Sequence, residues 1–141
     1  MSGDQHGGGV TPGDTQARLD ETRRRRGYEL EMHRIMSTVD PEWFREYAAF
    51  IEATYTGQRL LDRKTKELLQ IVVEAALRAD VDQIRAHVRV ALREGATPRE
   101  ILEALEAVIA PMGALAFRRG VQAWAAETGF TLPESGATSP S

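Results

Sequence analysis

The chain has 141 residues, 42% hydrophobic and 28% charged, the balance of an ordinary globular protein with room for a modest core. Its 18 lysines and arginines against 21 acidic residues leave a net charge of -3, too small to mark a binder of bulk phosphate. It contains no cysteine, which excludes disulfides, thiolate metal sites, cysteine nucleophiles and thiol-based peroxidase chemistry.

The opening MSGDQHGGGVTPGD lacks the apolar stretch of a signal peptide, and no run reaches the roughly 18 apolar residues of a membrane span. The expectation is a cytoplasmic protein with no membrane contact. Gly-rich residues 1–13 and Ser/Pro/Gly-rich residues 131–141 read as disordered tails, leaving one helical domain over 14–130. A first helix is expected from about Asp14 to Ser37. Its polar start, ARLDETRRRR, reads as extending from the body, whereas Met32, Ile35, Met36 and Val39 recur at helical spacing. The Arg23–Arg26 run has no recognition-helix pattern beside it, so a solvated face or a subunit contact is expected rather than nucleic acid.

Asp40-Pro41 restarts the helix, an N-cap acid before a proline at the first helical position. The segment to Tyr55 carries Trp43, Phe44, Tyr47 and Phe50, expected as core or subunit contact. Asp62 caps a helix to about Ala79 that is apolar nearly all round and so expected to be central. Its exceptions form one stripe: Glu67, Gln70, Glu74 and Arg78. A fourth helix, Val81 to Glu94, stops at Gly95, a left-handed cap. Thr97-Pro98-Arg99-Glu100 supplies a capping box for a fifth, which buries Ile101, Leu102, Leu105, Val108 and Ile109 and meets a kink or break at Pro111. The last, Ala114 to Thr128, packs Leu115, Phe117, Val121 and Trp124 before Gly129. No alternating strand is present, so the fold class is all-α with six helices.

Of the three histidines, His6 lies in a tail. His87 stands among Ile84, Val88 and Ala91, while Asp82, Arg85, Arg89 and Arg93 take the opposite face, so the ring points inward. A short turn near Ala79 makes its helix and the preceding one an antiparallel hairpin. Glu74 then comes level with His87, and Glu67 two turns further along at ~1.5 Å per residue. A carboxylate beside the imidazole raises its pKa and suits it to act as a general acid. The plainer reading is a core histidine bonded to a carbonyl, with Glu74 and Arg78 a surface pair. His33, in GYELEMHRIM, reads as a partly exposed helical histidine, or as a second proton carrier or pocket residue. Two scattered histidines do not make a metal site, and neither metal nor cofactor is expected.

The stretch ELLQIVVEAALRADVDQIRAHVRVALREGATPREILEALEAVIAPMG, Glu67 to Gly113, resembles the core of the carboxymuconolactone decarboxylase and alkylhydroperoxidase-D-like superfamily. AHVRVALREGATPREILE, Ala86 to Glu103, is its most specific part, and the likeness spans about Asp62 to Ala126. The resemblance implies an alkylhydroperoxidase-D-like bundle on a central helical hairpin, assembled as a homo-trimer or hexamer. In the peroxidase branch a Cys-x-x-Cys precedes the histidine; those positions here hold Asp80 and Gln83. The decarboxylase branch lacks the pair and keeps the histidine, but its tyrosine-containing stretch corresponds here to Ala110-Pro111-Met112-Gly113. Family spacing points to Glu67 as the partner of His87, hairpin height to Glu74.

Two functions follow. One is a cofactor-independent decarboxylase or isomerase acting on a small carboxylated lactone or cyclic acid. There His87 is the acid and Glu67 or Glu74 orients it, Arg78 or Arg85 binds the substrate carboxylate, and His33 and Met112 help to line the pocket. The other is a non-catalytic oligomeric binding or scaffold protein of the same fold.

Overall fold

Thr11 opens the first helix: its hydroxyl accepts Asp14 N–H at 3.2 Å, and Asp14 in turn accepts Thr11 N–H at 3.3 Å. The computed structural model describes residues 11–134, so His6 and most of the two expected tails lie outside the described residues. The chain forms two compact units, Met1–Lys66 and Glu67–Ser141. The described residues hold seven α-helices, one π-helical turn and no strand. None of these helices is long and apolar enough to cross a membrane.

In the first unit the single helix expected over 14–37 is two, α1 (Pro12–Arg26) and α2 (Glu31–Val39). Gly27 separates them. It adopts a φ of 86° and donates its N–H to Arg23 O, the left-handed stop that a glycine after a basic last turn favours. Nor does α1 stand clear of its unit as its polar start suggested, because Leu19, Thr22 and Arg26 are buried. Asp40 caps α3 (Pro41–Ile51) through Trp43 N–H at 3.0 Å. The chain continues as a π-helical turn over Glu52–Thr56, closed by Gly57 N–H on Glu52 O at 2.8 Å. A Cβ on residue 57 would lie 2.5 Å from that carbonyl, so the closure needs glycine.

Asp62 accepts Thr65 N–H at 2.7 Å and starts α4 (Arg63–Ala76), which the unit boundary divides after Lys66. In the second unit α4 ends where Ala79 N–H bonds Glu74 O and Arg78 N–H bonds Ala75 O, with Arg78 at a φ of 56°. This is a Schellman stop built on an arginine where glycine is usual. The same pattern ends α5 (Val81–Arg93) at Gly95, as expected. The capping box at Thr97 and Glu100 starts α6 (Pro98–Met112), which carries Pro111 in its last turn and stops at Gly113. Finally α7 (Ala114–Thr128) packs along α5 and α6, its Gly120 set against Leu105. Ile71, Ala75, Ile84, Val88, Ile101, Leu105 and Ala123 form the core, flanked by Leu68, Phe117 and Trp124. Each buried Leu or Ile there contributes roughly 1.5–3 kcal/mol. Contrary to expectation, α4 is not buried all round: Leu69 and Val73 are half exposed and Leu77 more so. Their spacing of four residues places them on one stripe that is exposed among the described residues.

Candidate active site

Glu67 and Glu74 lie seven residues apart on α4, two helical turns and so one face, separated by roughly 10 Å along the axis. His87 enters from the middle of α5 and lies between them. Its Nδ1 is 2.8 Å from Glu67 Oε2, and its Nε2 is 3.2 Å from Glu74 Oε1. The choice between the two glutamates is therefore no choice, since each takes one ring nitrogen. All three side chains are withdrawn from water, Glu67 wholly so and His87 at 3% exposure.

Burial pulls the His87 pKa down, but hydrogen bonds to Glu67 and Glu74, together with their charges, outweigh it and lift the pKa to about 9. At neutral pH the ring is an imidazolium whose two N–H groups each donate to a carboxylate. Gln83 completes the cluster by donating its Nε2–H to Glu74 Oε1 at 2.8 Å. It was missed as a site residue, although its position four before His87 places it on the same face of α5. The other carboxylate oxygen, Glu74 Oε2, is buried and has no hydrogen-bond partner among the described residues. With both imidazole nitrogens engaged, that oxygen is the acceptor this cluster leaves open.

The remaining candidates do not join this cluster. Arg85 donates to Glu127 at 2.9 Å and to Asp82 at 3.1 Å, and Arg89 shares Glu127. The side chain of Arg78, exposed in the turn after α4, makes no ion pair or hydrogen bond among the described residues. Met112 is half exposed at the end of α6. His33, fully buried, belongs to the first unit: its Nδ1 accepts Leu30 N–H at 3.0 Å, and its Nε2 lies 2.8 Å from Arg26 Nη1. Of the arginine run, Arg23, Arg24 and Arg25 are exposed as expected, whereas Arg26 is buried.

The described residues thus define an all-helical protein in which a hairpin sets an inward histidine between two glutamates of the preceding helix. The chain is a member of the carboxymuconolactone decarboxylase family, whose pattern matches residues 41–126. It is similar to a crystal structure from Burkholderia xenovorans LB400, of a protein provisionally named a carboxymuconolactone decarboxylase, with a TM-score of 0.68. The match covers 84% of this chain and 94% of that one at 23% identity, a likeness of fold. No curated protein matches the chain.

Proposed function

We propose that Glu67, His87 and Glu74 form the proton-handling centre of a cofactor-independent decarboxylase or isomerase acting on a small carboxylated lactone or cyclic acid. The observation that carries this reading is a buried imidazolium held between two carboxylates, one of which keeps an unbonded buried oxygen. Glu67 anchors the ring and keeps it charged. Glu74 is the group that meets substrate, and His87 acts through it.

In an isomerisation, Glu74 Oε2 removes a proton from the carbon beside the lactone carbonyl and returns it further along the conjugated system. In a decarboxylation, the bond to the departing carboxylate breaks and CO2 leaves. The bond's electron pair then delocalises into the lactone carbonyl. The proton that quenches this dienolate comes from the His87 Nε2–H by way of Glu74, and water restores it. The neighbouring imidazolium stabilises the developing negative charge, an effect that is large in a site closed to water. Arg78, whose charge is uncommitted among the described residues, is better suited than Arg85 to receive the substrate carboxylate.

The test is to supply purified protein with γ-carboxymuconolactone and related lactones and to follow CO2 release and ultraviolet absorbance. Parent protein should turn over; His87→Ala and Glu74→Gln should each lose roughly a hundredfold or more. Equal turnover by parent and variants removes these residues from the chemistry.

We further propose that the chain works as a homo-oligomer, a trimer or hexamer. Support comes from the exposed apolar side chains Leu69, Val73 and Leu77 on α4 and Ile109, Met112 and Leu115 where α6 meets α7. The same surface favours the second reading, a non-catalytic scaffold, should no lactone be consumed. Sedimentation of the parent and of Leu77→Glu tests the assembly: a parent that sediments as a monomer overturns it.

A further inference from the structure

A cavity of about 200 Å³ opens within the first unit, between α1, α3 and the π-helical turn. Phe44, Ala48 and Ile51 give it an apolar wall, and four arginines, Arg18, Arg25, Arg26 and Arg45, line it against a single carboxylate, Glu21. Two of these arginines are already neutralised. Arg25 pairs with Glu21 and Glu52, and Arg45 with Glu46 at 3.1 Å.

The other two make no ion pair among the described residues, although Arg18 lies near enough to Asp14 to lower its pKa. Arg18 gives its Nη2 protons to Ser37 O and Thr15 Oγ1, neither of them charged, and its Nε is buried with no acceptor. Arg26 is only 7% exposed, and its buried Nη2 also has no acceptor. Its Nη1 lies against His33 Nε2. Burial and the Arg26 charge push the His33 pKa down to about 4, so that ring is neutral and offers a single lone pair. Two donors compete for it, Leu30 N–H on one side and Arg26 on the other. In either neutral tautomer, one of the two contacts sets donor against donor. Arg26 is thus a buried cation that has the face of Tyr47, 5.0 Å from its guanidinium carbon to the ring centroid, but no carboxylate partner among the described residues. A ring face offsets only part of the cost of burying such a charge.

We propose that this cavity binds a small organic carboxylate with an apolar body about the size of a benzene ring. Its carboxylate would meet Arg26 and Arg18, and its ring would lie on Phe44, Ala48 and Ile51. The size follows from the volume, since an apolar cavity of roughly 150 Å³ accommodates benzene, and 200 Å³ leaves room for one carboxylate in addition. The charge follows from the unpaired guanidinium groups, whose planar donors match a carboxylate. A phosphate, multiply charged and strongly hydrated, does not suit so apolar a wall. This site goes beyond the proposed lactone chemistry and does not depend on it.

Calorimetric titration of the full chain tests the proposal, with benzoate as probe and benzyl alcohol and acetate as controls. Benzoate should bind saturably at one site per chain, and both controls should bind at least about tenfold more weakly. Arg26→Gln should weaken benzoate by a similar factor, with Arg18→Gln as the alternative should that variant not fold. Ala48→Phe, which fills the cavity and keeps every charge, should abolish binding. The proposal is overturned by either of two results: no saturable binding at millimolar benzoate, or binding that survives Ala48→Phe. A parent protein that ignores benzoate but changes its sedimentation on Ala48→Phe assigns the cavity to a second copy of the chain, which also overturns it.

Discussion

Replacing His87 with glutamine removes the cation from between two buried carboxylates, and the consequence depends on pH in a calculable way. The ring has a pKa of about 9 in the folded protein against 6.5 for an unperturbed histidine. Between these values the folded protein holds a proton that the unfolded chain has released. Stability from this group is therefore complete below pH 6.5 and lost as pH rises through 9. At about 1.4 kcal/mol per unit of difference, the total is on the order of 3 kcal/mol. Because Glu67 and His87 are almost fully buried, solvent screens little of it. Urea unfolding of the parent between pH 6 and pH 10 should show this decline, and His87→Gln should lack it. The variant should also be less stable at pH 6 by roughly 3–5 kcal/mol, since Glu67 and Glu74 are left buried without their counter-ion. Nitrogen NMR of the ring reports its titration directly. A ring that titrates at or below its ordinary value, or an identical pH slope in parent and variant, refutes the account of the cluster.

Three further outcomes are expected. Gly120→Ala should destabilise by about 1–3 kcal/mol despite alanine's better helix propensity, because the new Cβ would collide with Leu105 Cδ2 and lie 3.2 Å from its Cγ; thermal unfolding measures this. Arg78→Gly should stabilise by roughly 1 kcal/mol, since Arg78 holds a φ of 56° in the turn. Combined with the lactone assay, the same variant shows whether the Arg78 charge is needed for turnover. Thr97→Ala should cost about 1 kcal/mol, read by chemical denaturation, through loss of the bond from Glu100 N–H to the threonine hydroxyl.

Most helix boundaries were legible because they are set by contacts within a single turn. Asp40-Pro41, Thr97 with Glu100, Gly95 and Gly129 each stop or start a helix through their own side chain or φ, and the structure bears them out. The break at Gly27 carried the same kind of signal, a glycine after a run of arginines. The apolar spacing that resumes beyond it hides that stop in the sequence. The inward direction of His87 was equally local, following from Ile84, Val88 and Ala91 on its own helix.

What the ring meets depends on the height and rotation of α4 against α5, and so on how the turn between them closes. That closure uses Arg78 in a left-handed conformation, for which arginine carries no sequence signal. Hence tertiary structure alone put Glu67 on one nitrogen of His87 and Glu74 on the other, and brought Gln83 to Glu74. Likewise, the burial of Arg26 and the exposure of Leu77 follow from which faces find neighbours, a non-local property that composition and periodicity do not encode. The amino-acid sequence by itself determined an all-helical chain with an inward histidine and no thiol; packing decided which charges that histidine stands between.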